Sequence, residues 1–203
     1  MSRATQIVRY LIPRIALVDL PWMLGVAAAG SLLAGLYGIG HDQLTYSISP
    51  EYFTKMKFEQ FHYADFGFGN RVFVATIGFL ASWWVGAIAA WLLARRLIPG
   101  QPRSVAISQI VRGFLVVLVV TFLFGFAGYV VGIWRGPEAD YSRWQTMIDV
   151  LGIEQPWHFV RVATIHSGSY LGGLVGLIFA LLLIRPVESA ERKTLDSTKF
   201  VRA

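Results

Sequence analysis

Four histidines carry the most versatile chemistry in this chain: His41, His62, His158 and His166. An imidazole serves as acid, base or metal ligand, depending on what faces its two ring nitrogens. Carboxylates accompany them in sequence, namely Asp42, Glu51, Glu59, Asp65 and Glu154. Glu59 and His62 stand three residues apart, which on a helix puts both on one face. Carboxylate-bridged metal sites use this Glu-x-x-His step, but they take two copies and further carboxylates from other helices. Only one copy is present here. His158 and His166 are eight residues apart and share a helical face if the last long helix starts early. These spacings nominate His166, His62, Glu59 and His158 as metal ligands. No motif demands a cofactor; a metal ion or haem is what such residues would take. The competing reading is that all four histidines hydrogen-bond to backbone or water at surfaces and interfaces.

Other catalytic patterns fail. The absence of cysteine removes disulfides, thiolate metal sites and cysteine nucleophiles. Gly67-Phe68-Gly69 leads straight into a long apolar run, so it is not a phosphate loop within a βαβ unit. Walker, His-Glu-x-x-His and Gly-x-Ser-x-Gly sequences are missing. Ser167 and Ser169 lie beside His166, yet no orienting acid or oxyanion hole can be assigned to a triad.

The elements that must position these residues are set by lipid. Of 203 residues, 55% are hydrophobic and 15% charged, where a soluble domain carries about a quarter charged. The apolar residues concentrate in four runs, at 20–39, 72–93, 113–133 and 163–184. About 20 residues at about 1.5 Å each cross a hydrocarbon core of about 30 Å. Backbone groups there must be satisfied within their own segment, so the runs are predicted to be helices. The expected fold is an all-α membrane protein, a single four-helix transmembrane bundle. Two outer loops, 40–71 and 134–162, carry short amphipathic helices.

Every span is closed by arginine: Arg14, then Arg95 and Arg96, then Arg112, then Arg185. Arg3, Arg9 and Arg14, with Arg95, Arg96, Arg103 and Arg112 and the tail's Arg185, Arg192, Lys193, Lys199 and Arg202, fall on one side. The opposite loops hold Lys55, Lys57, Arg71, Arg135, Arg143 and Arg161, half as many. The positive-inside rule then places both termini in the cytoplasm. The net charge of +6 is thus a topology signal with some pull on anionic lipid, and no nucleic-acid partner is expected. Asp19 and Pro21 interrupt what would be a signal-peptide core, so the first run is expected to stay as a span.

Within the spans, small residues recur at four-residue spacing: Ala27, Ser31 and Gly35; Gly78, Ser82, Gly86 and Ala90; Gly128 and Gly132; Gly168, Gly172, Gly176 and Ala180. Such ridges let backbones approach closely in a bundle. A sharper reading gives the last ridge to a partner subunit or a flat cofactor.

In the outer loops, residues 44–49 alternate apolar and polar, the period of a short strand. Ser49-Pro50-Glu51 reads as an N-cap, a first-turn proline and an early acid, so a helix should follow. Asp140 precedes a second amphipathic stretch. Both helices are expected to cover the bundle mouth. The string from Tyr46 to Phe58 and the string His166-Ser-Gly-Ser-Tyr-Leu-Gly-Gly173 resemble a group of bacterial four-span membrane proteins. That resemblance implies a bacterial inner-membrane protein and brings no catalytic residues with it.

His166 sits at the outer edge of the hydrocarbon layer, where ionisable groups are functional candidates. Asp19 lies at the opposite edge, a full span of about 30 Å away, and is expected to pair with Arg14 or Arg112. Three functional classes follow. The first is a non-catalytic subunit, assembly factor or scaffold, acting as a homo-oligomer or with a partner membrane subunit. The second is a metal- or haem-binding redox protein, and the third a small-solute transporter. The first suits the composition best, and an enzyme is the less expected outcome.

Overall fold

A computed structural model describes residues 15–184 and Pro186. Four long helices dominate, here α1 (Leu20–Ile48), α2 (Asn70–Leu97), α3 (Arg103–Arg135) and α4 (Pro156–Leu183), and the described residues include no strand. All four are long and apolar enough to cross a membrane, and the chain is a multi-pass, all-α bundle. With 28 to 33 residues, they run for about 42 to 50 Å at about 1.5 Å per residue. Each helix therefore overshoots a hydrocarbon core of about 30 Å. Of the charges that set orientation, Arg3, Arg9, Arg14, Arg185, Arg192, Lys193, Lys199 and Arg202 lie outside the described residues.

The glycine ridges explain who packs on whom. A Cβ on Gly38 would strike the carbonyl of Gly78, and one on Gly30 would meet Ala90 and Gly86, so α1 and α2 run backbone to backbone. Gly168, Gly172 and Gly176 of α4 press in the same way on Phe124, Val120 and Val117 of α3. The last ridge is thus filled by α3. Packing is tight within the pairs α1/α2 and α3/α4 and much lighter between them, where α2 touches α3. An apolar core built on Met23, Leu93, Leu97, Ile110 and Phe114 seals the pairs together near the start of α1.

The strand expected at 44–49 is instead the last turns of α1. Its polar residues face two neighbours at helical spacing. Gln43 and Ser47 hold the guanidinium of Arg71 at the start of α2, with N···O distances of 3.0 to 3.1 Å. Asp42 and Thr45 are buried on the other face, toward α4. Six residues with polar positions on two helix faces mimic an alternating strand.

Ser49 does cap the next helical segment, its Oγ accepting from the Tyr52 N–H. That segment comprises Pro50–Tyr52, a π-helical stretch Phe53–Lys57, and Phe58–Gln60. Asp140 accepts from the Ser142 N–H at 2.8 Å, ahead of a short helix Gln145–Leu151. Tyr52, Phe53, Ile148, Ile153 and Phe159 form a second core that caps the distal end of the bundle. Asp19 closes a 3-10 turn before α1. Arg14 lies outside the described residues, and no ion pair among the described residues joins Asp19 to Arg112.

Candidate metal centre

Beneath the distal cap, α1 supplies His41, Asp42 and, one turn on, Thr45, while α4 supplies His166. The three potential ligand atoms of His41, Asp42 and His166 lie within 4.8 Å of one another. Asp42 is 4% exposed and His166 7%. His166 Nε2 stands 3.8 Å from Asp42 Oδ1 and 3.2 Å from Thr45 Oγ1. The Thr45 hydroxyl donates to the His41 carbonyl at 3.1 Å. With that proton assigned to the backbone carbonyl, the Nε2–H tautomer of His166 donates to the hydroxyl oxygen.

His41 completes the group. Its ring stacks on Tyr37 (centroids 5.7 Å apart) and meets His166 edge-on at 4.7 Å. His41 Nε2 is buried without a hydrogen-bond partner, an uncommon state for a buried polar atom. Tyr52 and Phe53 of the distal cap close over the His166 ring at 5.0 and 6.2 Å. From the cap, burial pulls the Lys57 amine below the ordinary lysine value, and the Asp42 carboxylate pulls it back up.

Depth sharpens the chemistry. His166 is ten residues inside α4, about 15 Å below its distal end, and Asp42 is six residues, about 9 Å, from the end of α1. A carboxylate there costs several kcal/mol, on the order of the penalty for burying an ion, unless something compensates it. A divalent cation would answer the Asp42 charge, the empty His41 nitrogen and the His166 nitrogen together. Metal bonds of about 2.0–2.2 Å set donors roughly 3–3.5 Å apart. The donors here would close by about an ångström, within reach of side-chain rotation. Haem fits poorly, because imidazoles edge-on at 4.7 Å leave no slot for a porphyrin between them.

The four residues nominated from sequence end up in different places. His166 joins the cluster. Glu59 and His62 are exposed, and His62 Nδ1 lies 2.8 Å from the Glu59 backbone carbonyl. His158 Nδ1 accepts from Arg161 Nη2 at 2.7 Å, so that nitrogen is already engaged. His41 and Asp42 follow the apolar run 20–39 in sequence, and the structure continues the helix through them to Ile48. The usable signal was the polar triplet His41, Asp42, Thr45 at helical spacing directly beyond an apolar run.

Under the site lies a cavity of about 100 Å³ reached by all four helices, with His41, Asp42 and His166 in its wall beside Tyr37, Val85 and Leu118. Comparison with protein-family models, curated proteins and solved structures finds no match for this chain.

Proposed function

We propose that this multi-pass membrane protein binds one divalent first-row transition-metal ion through His41, Asp42 and His166. The observation that carries the reading is the buried convergence of three donor residues from two helices, with a His41 ring nitrogen left without a hydrogen-bond partner. Two imidazoles and a carboxylate suit iron, zinc, copper or nickel better than magnesium or calcium, and with open positions they form the set used by non-haem iron(II). The glycine ridges that would serve a scaffold or partner subunit are taken up inside the two helix pairs and give that role no surface of their own. The arginine and lysine asymmetry supports cytoplasmic termini, which puts the centre toward the opposite face; the bacterial inner membrane is what the resemblance of the Tyr46–Phe58 and His166–Gly173 strings implies. A reporter fused after Ala203 should then be active only inside the cell.

The test uses the full chain in mild detergent, stripped with chelator and reloaded anaerobically with iron(II), cobalt(II) or zinc(II). One tightly held ion per chain is expected by elemental analysis, with visible ligand-field bands for cobalt. His41→Ala and His166→Ala should each lower affinity by about 100-fold or more, in line with the cost of losing a ligand where even outer-shell partners are worth 10–100-fold. An unmodified chain that holds no more metal than a chain carrying both His41→Ala and His166→Ala overturns the reading.

A further inference from the structure

Resting on that metal reading, we infer that the centre offers an open coordination position to the internal cavity, and that its exogenous ligand is a neutral diatomic gas of the dioxygen or nitric oxide kind. Three protein donors leave at least one position free on a tetrahedral ion and more on an octahedral one. Thr45 and the aromatic rings of Tyr52 and Phe53 stand against the imidazole of His166 from the cap side. The cavity also borders all three donors, so a free position has that space to face.

The cavity selects its occupant by size and charge. A closed pocket of about 150 Å³ takes up benzene or xenon; the space here is about 100 Å³ and partly open between the helices, so it admits a small molecule without enclosing it. Its walls away from the donors expose mostly apolar surface, with the hydroxyls of Tyr37, Ser82, Thr121, Ser169 and Tyr170 among them, and that of Thr121 already donates to the Val117 carbonyl at 2.7 Å. An anion would have to give up its hydration to enter these surroundings. A neutral gas does not bear that cost and concentrates in hydrocarbon. A route exists as well: α1 and α4 touch only sparsely, and Tyr37 and Tyr170 mark that seam, Tyr170 being half exposed on the outside of the bundle.

Nitric oxide added to the anaerobic iron(II)-loaded protein in detergent is the probe. The expected result is the axial high-spin resonance of an iron nitrosyl, while millimolar azide leaves the visible ligand-field bands of the cobalt(II)-loaded protein unchanged. Gly173 borders the cavity, and a Cβ there meets only Thr121 Oγ1 at 3.5 Å. Gly173→Leu should therefore fill the space, retain iron, and weaken nitrosyl formation about tenfold or more, as expected when an occupied void is closed by about 1.4 kcal/mol or more of steric cost. Iron-loaded protein that gives no nitrosyl, or cobalt-loaded protein whose bands shift with azide, overturns the inference while leaving the metal site standing. An iron-retaining Gly173→Leu variant with undiminished adduct overturns it also. A failure of iron to load at all defeats the metal reading itself, and the elemental analysis tells these apart.

Discussion

Thr45 decides what His166 can offer. Its hydroxyl oxygen accepts a hydrogen bond from the Nε2–H tautomer of the imidazole at 3.2 Å while it donates to the His41 carbonyl at 3.1 Å. A metal must evict that proton before it can use the nitrogen, since ligating imidazole is neutral at the coordinating atom. Thr45→Val removes the competing acceptor and keeps the shape. Losing one net hydrogen bond of about 0.5–1.5 kcal/mol from the metal-free form should raise metal affinity about three- to tenfold. The metal-free protein should unfold at lower temperature by the same argument. Asp42→Asn should act in the opposite sense, weakening the ion by about 100-fold through loss of the only formal negative charge in the triad. Competition against a chromophoric chelator reads both. A weaker Thr45→Val would instead make the hydroxyl itself a ligand. The residue scale also shows where sequence reading stopped: His166 stood out because it falls inside an apolar run, whereas His41 and Asp42 follow one, and a span ended two turns early files them under loop.

At the scale of elements, the spans were legible because roughly 20 apolar residues in lipid admit one conformation. Their ends were not, because the last turns of α1 are polar on the two faces that meet α2 and α4, and those partners are known only once the helices are packed. The distal cap was foreseen through Ser49-Pro50-Glu51, but what holds it was not. The Glu51 carboxylate reaches across to the start of α4 and accepts from the Glu154 and Gln155 N–H groups at 3.0 and 2.9 Å. Lys55 pairs with it at 2.9 Å, and also reaches the Gly152 carbonyl. Partial burial pushes the Glu51 carboxyl up; the two backbone donors and Lys55 outweigh this and hold it below the ordinary glutamate value. A depressed folded value means that the stabilisation is complete at neutral pH and is lost as pH falls from the unfolded value through the lower folded one. Between those two values the opening of the cap should increase by about tenfold per pH unit. Hydrogen exchange at Glu154 and Gln155, corrected for intrinsic rates, measures it. Glu51→Gln should open more readily at neutral pH and show no such acid step; an unaltered step would assign the effect to another group.

For the molecule as a whole, the consequence of two tight pairs joined lightly is that the centre spans the joint. His41 and Asp42 belong to the α1/α2 pair and His166 to α3/α4, while the pairs otherwise meet at the proximal core and the cap. An ion bound there ties α1 to α4 across the seam that packing leaves sparse. Binding to the folded form alone stabilises it by about 2.7 kcal/mol at a free concentration 100 times the dissociation constant. Mass action of that kind would follow from any site. The joint predicts something more specific, namely that loading narrows the spread of distances between the pairs. The chain has no cysteine, so Leu36→Cys on α1 and Leu174→Cys on α4, both more than half exposed, accept spin labels without background. Pulsed dipolar spectroscopy with diamagnetic zinc(II) should show a broader distribution in the metal-free protein and a narrower one after loading. The same labels in His166→Ala should give the broad distribution under both conditions. Labels placed within one pair, at Leu36 and at Ile88 of α2, which is half exposed, should report a narrow distribution throughout, because Gly38 and Gly78 already lock that pair backbone to backbone. Identical distributions across the seam with and without zinc would mean that the bundle is rigid on its own and that the ion only occupies a site already closed.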